Sequence, residues 1–288
     1  MRFAISTHLY HGERLGRAHL EAIKARQFDD IEVFATRTHV DYRDEREIGQ
    51  LAEWLSELDL RAGSMHAPIC ASFVNGEWGR AFSNASSDVS ARAVAVDETN
   101  QSIAAARRLG CEYLVLHLGL PRGQPIPPGD NDRRAAQRSL EEIAAAASTA
   151  GVQLALEVIP NDLSTADALL DWLEGDLDLG GAAICLDFGH AHLLGGAPEA
   201  VEALSGHVVT THVHDNRGRS DDHLVPFSGT IDWPSTLASL WKIGYDGRLV
   251  FEVADAGNAA DVLSRTVGAR SRLQAILDDL ARPFDFQV

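Results

Sequence analysis

The imidazoles and carboxylates of this chain have the most capacity for chemistry, and many of them close short apolar runs. Glu32 closes the second such run, His66 the third, His117 the fourth and Glu157 the fifth. Asp187 closes the sixth, with His190 three residues on. His212 and His214 close the seventh, Asp221 and His223 follow in the loop behind it, and Glu252 closes the eighth. Taken singly, a glutamate at a strand end is usually an ion-pair partner and a loop histidine is usually solvated. Gathered in one cavity, the carboxylates would repel one another and lose their hydration. A divalent cation removes both costs, so the set reads as a metal site. Mixed carboxylate and imidazole donors suit Mn2+, Zn2+, Co2+, Mg2+ or Fe2+. The lack of thiolate donors speaks against a closed structural zinc site.

Such convergence needs elements that aim these positions at one place. Aliphatic or β-branched runs occur at 3–7, 30–34, 60–66, 112–117, 152–158, 182–187, 207–212 and 248–253. They are continuous rather than alternating, as parallel strands covered on both faces require. Helical patterns lie between them, at 51–58, 89–109, 132–150 and 258–280 among others. Gly110, Gly151 and Gly244 stand where helices stop before the next strand, and Asp232-Trp-Pro reads as an N-cap with proline in the first turn. Eight β-then-α units in 288 residues match a single (β/α)8 barrel, or TIM barrel, spanning 1–288 as one domain. A doubly wound open sheet is the alternative. No Gly-x-Gly-x-x-Gly, P-loop or Gly-x-Ser-x-Gly elbow appears. The longest irregular stretches, 67–88, 118–131 and 214–232, all follow strands, on the face where barrel active sites sit.

Composition sets the outer limits. Twenty-five basic against 42 acidic residues give a net charge of −17, which speaks against a nucleic-acid partner. The 45% apolar content is that of a globular chain and excludes collagenous or wholly disordered classes. No apolar run approaches the roughly 18–20 residues of a membrane helix, and the start lacks a signal-peptide core. Cys70, Cys111 and Cys185 have no Cys-x-x-Cys spacing and read as free thiols of a cytoplasmic protein.

The ordered motifs resemble the xylose-isomerase-like barrel superfamily. They are Met-His66-Ala-Pro, Leu-His117-Leu-Gly, Leu-Glu157, Leu-Asp187-Phe-Gly-His190, His212-Val-His-Asp, Asp221-Asp-His223, Gly229-Thr-Ile-Asp-Trp233 and Phe-Glu252. That superfamily holds sugar and sugar-phosphate isomerases and epimerases, and also metal-dependent AP endonucleases. The resemblance to the ketose 3-epimerase branch implies Glu157, Asp187, His212 and Glu252 as metal ligands, with Glu157 and Glu252 also as the acid/base pair. The resemblance to the endonuclease branch implies His66, His117, His190, Asp221 and His223 as ligands of further ions. Three features depart from the usual patterns: Val158 stands in place of an asparagine, Phe227-Ser-Gly229 in place of Gly-x-Gly, and His214-Asp215 in place of Asn-Asp.

The implied reaction moves a proton on a carbon beside a carbonyl, through an enediolate that a divalent cation stabilises. A small polyhydroxy sugar is the expected partner, and relatives in this branch are often homo-oligomers. The alternatives are a multi-zinc phosphodiesterase of the AP-endonuclease type and a lyase or hydrolase acting on a keto-sugar glycoside. His190 reads as a second-metal or sugar-hydroxyl ligand, or as a hydrogen-bond partner of a ligand. Arg217 reads as a contact to a substrate oxygen or phosphate, and Glu32 as a substrate acceptor or an orienter of a ligand. His8 stands at the mouth, Trp78 and Phe227 read as an apolar lid, His207 as structural, and His19 and His39 as surface residues.

Overall fold

Eight short strands close on themselves in the computed structural model, which describes residues 1–123, 125–255 and 257–282. In chain order the strands are β1 (Arg2–Ser6), β2 (Asp30–Phe34), β3 (Arg61–His66), β4 (Phe73–Val74), β5 (Glu77–Trp78), β6 (Tyr113–Leu116), β7 (Gln153–Glu157), β8 (Ala183–Asp187), β9 (Val208–Val213) and β10 (Arg248–Phe251). β4 and β5 form a separate antiparallel hairpin. The others pair in parallel in the closed order β1-β10-β9-β8-β7-β6-β3-β2. Between them run α1 (Arg17–Ala25), α2 (Glu45–Glu57), α3 (Val89–Leu109), α4 (Arg133–Ala150), α5 (Ala166–Leu173), α6 (Phe188–Leu193), α7 (Ala197–Ala203) and α8 (Trp233–Lys242), with α9 (Ala259–Ala281) last. The fold is a (β/α)8 TIM barrel, and its closure excludes the open doubly wound sheet. Among the described residues no helix is long and apolar enough to cross a membrane.

Local chemistry explains the element boundaries. β2 and β8 are buried along their whole length, which is why they read as unbroken apolar or inward-pointing runs. Asp88 and Asp132 cap α3 and α4 by accepting the Ala91 and Ala135 amides, each at 2.7 Å. Both helices end at glycines in the left-handed region, Gly110 at φ 74° and Gly151 at φ 70°. Asp232 caps α8 through the Ser235 amide at 3.1 Å, with proline in the first turn.

Alternate residues of a strand share a face, so the barrel interior is built in layers. Ala155 lies one layer below Glu157 on β7, and Cys185 one below Asp187 on β8; with Val115 they form a small apolar cluster of their own. At the amino-terminal end of the barrel, Arg248 is buried and pairs with Asp30 at 3.1 Å and Glu112 at 2.8 Å. Gly63 leaves room for its guanidinium, because a Cβ there would stand 2.6 Å from Arg248 Nε. The three cysteines are free and buried.

Several sequence expectations are refined. The 67–88 stretch is not wholly irregular, since it contains the β4–β5 hairpin. Glu32 sits in the middle of β2, not at its end. His8 lies beyond β1 in a 3-10 turn, Thr7–Tyr10. His39 is not a surface residue. It is fully buried, donating from Nδ1 to the Glu13 carbonyl at 2.6 Å, with Nε2 3.1 Å from the Thr7 hydroxyl. His207 precedes β9 at the amino-terminal end, half-exposed and 3.7 Å from Glu174. His19 lies in the first turn of α1, its Nδ1 accepting the Gly16 amide at 3.0 Å.

Candidate metal centre

The carboxyl-terminal ends of β7, β8, β9 and β10 bring together Glu157, Asp187, His212 and Glu252. One donor atom from each lies within 4.8 Å of all the others. His212 Nδ1 stands 3.2 Å from Glu157 Oε1, 3.3 Å from Glu252 Oε2 and 3.6 Å from Asp187 Oδ2. One nitrogen of the imidazole therefore faces all three carboxylates. All four residues are buried. Asp187 is held in place by its second task. Its Oδ1 caps α6 through the His190 amide at 2.7 Å, which leaves Oδ2 facing the centre.

A ring of histidines surrounds this group. His66 and His117 approach Glu157 Oε2 through Nε2 at 3.1 and 2.9 Å. His190 and His223 approach Asp221 Oδ2 through Nε2 at 3.0 and 3.1 Å. His214 approaches Asp187 Oδ2 at 2.9 Å and stacks on His223 with ring centroids 4.0 Å apart. Three further donor groups result: His66, His117 and Glu157; His66, His212 and Glu252; and His190, His214, Asp221 and His223.

The protonation pattern of this ring tests whether a cation fits. A carbonyl oxygen only accepts, so an imidazole nitrogen facing one must carry hydrogen. His66 Nδ1 donates to the Ala67 carbonyl at 2.8 Å, His190 Nδ1 to Val158 at 3.0 Å, and His223 Nδ1 to Glu252 at 2.8 Å. In each ring Nε2 then faces a carboxylate. A neutral ring would point a lone pair at an anion, which is repulsive unless a positive charge stands there. A divalent ion satisfies both partners, and metal-bound histidines commonly donate their other nitrogen to a carbonyl in this way. His214 supplies a second sign, since its Nδ1 is buried without a hydrogen-bond partner. The donor set therefore fits a divalent cation.

Without an ion, protons carry the compensating charge. Burial disfavours the Glu157 and Asp187 carboxylates, but His117 and His212 hold Glu157, and His190 and His214 hold Asp187, below the usual carboxylate range. Against its burial, Asp221 is likewise lowered by His223 and His190. Burial would lower His190 and His223; Asp187 and Asp221 outweigh it at His190, and Asp221 does so at His223, which rises to about 10. Burial also opposes charge on His66, yet the Glu157 contact raises it.

The loop between β9 and α8 carries Asp221 and His223, and one buried carboxylate organises it. Asp215 Oδ1 accepts the Asn216 and Ile231 amides at 2.9 and 3.2 Å. Its Oδ2 accepts the Phe227 amide at 2.9 Å and the Trp233 indole N–H at 3.1 Å. Gly229 passes so close that a Cβ would stand 2.3 Å from Asp215 Oδ1. Phe227 adopts φ 71° and His223 φ 44°, a region that non-glycine residues rarely enter. At Phe227 this is a backbone conformation that glycine would adopt without strain.

Not every expected residue joins the group. Arg217 is exposed in this loop and makes no ion pair to the group among the described residues. Phe227 is not a lid. It lies under the Arg272 guanidinium, 3.6 Å from its ring centroid, and against Trp233. Trp78 is 44% exposed in the β4–β5 hairpin, stacked on His11 at 5.0 Å. His8 stacks on His11 and leans on His223 at 4.8 Å. Glu32 lies below the group, behind His212. His214, expected only as one of the strand-end imidazoles and given no role of its own, joins the group with His190, Asp221 and His223. Its only sequence signal was an imidazole two positions beyond His212, on the same face of the strand end.

The family profile described as xylose isomerase-like TIM barrel matches residues 20–274. The chain belongs to that family. Among its relatives, an uncharacterised protein of Methanocaldococcus jannaschii is 28% identical over 277 residues, covering 91% of this chain and 88% of the relative. Among solved structures, a D-tagatose 3-epimerase-like protein superposes with a TM-score of 0.79 at 25% identity, covering 97% of this chain and 98% of that one. The IolI protein, solved with a bound zinc atom, superposes with a TM-score of 0.74 at 16% identity over 98% of this chain and all of its own. This xylose isomerase-like barrel thus shares its whole architecture with both.

Proposed function

We propose that this protein is a divalent-metal-dependent sugar isomerase or epimerase, with Glu157, Asp187, His212 and Glu252 as its metal ligands. The observation that carries the reading is the placement of the buried Glu157, Asp187, His212 and Glu252 with one donor atom of each within 4.8 Å of the others. The overall likeness to a D-tagatose 3-epimerase-like protein supports a sugar as substrate, and the −17 charge argues against a polyanion. A divalent ion held there supplies Lewis acidity that lowers the cost of negative charge on the oxygens beside the reacting carbon.

The chain's own groups supply the proton transfers. Glu157 is assigned as the base on its side of the site. It takes the proton from the carbon next to the carbonyl, and the freed electron pair enters the carbon–carbon bond of an enediolate. Glu252, which would enter this step in its acid form, would give its proton to the other face and be left as the carboxylate, and proton exchange of both glutamates with water would reset the pair. Return to the same carbon inverts it, and return to the neighbouring carbon moves the carbonyl. His66, His117 and His190 flank Glu157 and hold its carboxylate in one orientation. Trp78 and His11 offer a ring surface near the mouth that suits the C–H face of a sugar.

The test is solvent-deuterium exchange into a panel of ketoses and aldoses with Mn2+-loaded protein. Wild type should wash deuterium into one substrate C–H. Glu157→Gln and Glu252→Gln should each lower exchange by about 10²–10⁴-fold while substrate binding persists, because acid/base catalysis acts in the transition state. Absence of exchange across the panel overturns the reading.

A second reading is favoured by one observation. The four overlapping donor groups, two of them sharing Glu157, suit several ions and a phosphodiester substrate. Three ions per chain with salt-sensitive cleavage of abasic DNA would favour it. One ion per chain with C–H exchange would favour the isomerase.

A further inference from the structure

We infer that Glu32 is a positioning residue of the metal centre, acting through the back of His212; the inference rests on the reading of His212 as a ligand. The two ring nitrogens of His212 face opposite chemistry. Nδ1 faces Glu157, Asp187 and Glu252, the carboxylates that share the centre. Nε2 faces Glu32, 3.2 Å from each of its oxygens. Glu32 belongs to none of the donor groups around the centre, so it is placed to bind the imidazole rather than an ion.

The surroundings of Glu32 make a purely structural role uneconomical. It is fully buried in the middle of β2, where a carboxylate is costly to desolvate. Besides the imidazole, the Ser64 hydroxyl supports it, donating to Oε2 at 2.8 Å from the neighbouring strand. Oε1 makes no well-directed hydrogen bond. A side chain retained for packing alone would be apolar here. A carboxylate behind a metal-ligating imidazole has a specific effect: it accepts the Nε2 hydrogen, fixes the tautomer with the Nδ1 lone pair forward, and makes that nitrogen a stronger donor. Ser64, Glu32 and His212 thus form a relay from β3 through β2 to β9. The register supports it, since Glu32 pairs directly with Ser64 across the β2–β3 ladder.

The experiment measures metal affinity without substrate, by chelator competition with Mn2+ and Zn2+ on folded protein. Glu32→Gln keeps the shape and removes the charge, and it should weaken binding about 10–100-fold. Ser64→Ala removes one supporting hydrogen bond and should weaken it about 2–10-fold; it carries the test if the glutamine variant does not fold. Nitrogen-15 NMR of the zinc-loaded wild type should show His212 with hydrogen on Nε2 and metal on Nδ1. Wild-type affinity in both variants, or metal on Nε2, overturns the inference. Failure of wild type to bind metal through His212 would instead overturn the metal-centre reading beneath it.

Discussion

Replacing Asp215 by asparagine should dismantle the loop that presents Asp221 and His223. The wild-type carboxylate accepts four N–H groups, two on each oxygen, and is fully buried. Asparagine has one carbonyl oxygen and one NH2. Whichever way it is turned, two of the four donors then face another donor. A hydrogen bond to a charged group is worth about 1.5–3 kcal/mol, so two losses amount to about 3–6 kcal/mol, against a total stability of roughly 5–15 kcal/mol. Local melting should precede global unfolding, because the four donors all lie within residues 216–233. Hydrogen exchange read by mass spectrometry should show lost protection in 214–232 with β7 and β8 protected, and urea titration should show the global loss. The exposed cap Asp232 provides the contrast, since Asp232→Ala should cost only about 1 kcal/mol. A loss below about 1 kcal/mol for Asp215→Asn, with the loop still protected, would refute the argument.

Two further predictions follow from buried imidazoles. Burial lowers His39 from 6.5 to about 4, so the folded protein holds it neutral where the unfolded chain protonates it. Its contribution is complete above pH 6.5 and is lost as pH falls toward 4, by at most about 3 kcal/mol. Urea midpoints measured across that range should fall more steeply for wild type than for His39→Gln. Gly189→Ala should damage the centre, because a Cβ there would stand 2.0 Å from Cε1 of the buried His214. Overpacking of this kind costs about 1–3 kcal/mol, and both the melting temperature and the metal affinity should fall.

Much of the fold was legible because parallel barrel strands are buried on both faces and so read as apolar runs, as β8 does from Ala183 to Asp187. Gly110 and Gly151 were legible for the same kind of reason: helix stops need left-handed backbone. The short β4–β5 hairpin was not, since two-residue strands carry no period. His39 escaped notice because its burial comes from hydrogen bonds to Glu13 and Thr7, distant in sequence from one another's patterns. The candidate ligands were visible as residue types at strand ends. What the sequence could not supply was depth along the barrel. Glu32 was placed at the mouth, yet its register opposite Ser64 sets it a layer lower, behind His212 rather than beside a substrate.

We propose that Glu157, Asp187, His212 and Glu252 hold one divalent ion. Anomalous diffraction from crystals of Mn2+-loaded protein tests it most directly. An ion is expected at about 2.0–2.3 Å from a donor atom of each of the four residues, with His212 bound through Nδ1. An ion bound only among His190, His214, Asp221 and His223, with the four residues left empty, would contradict it.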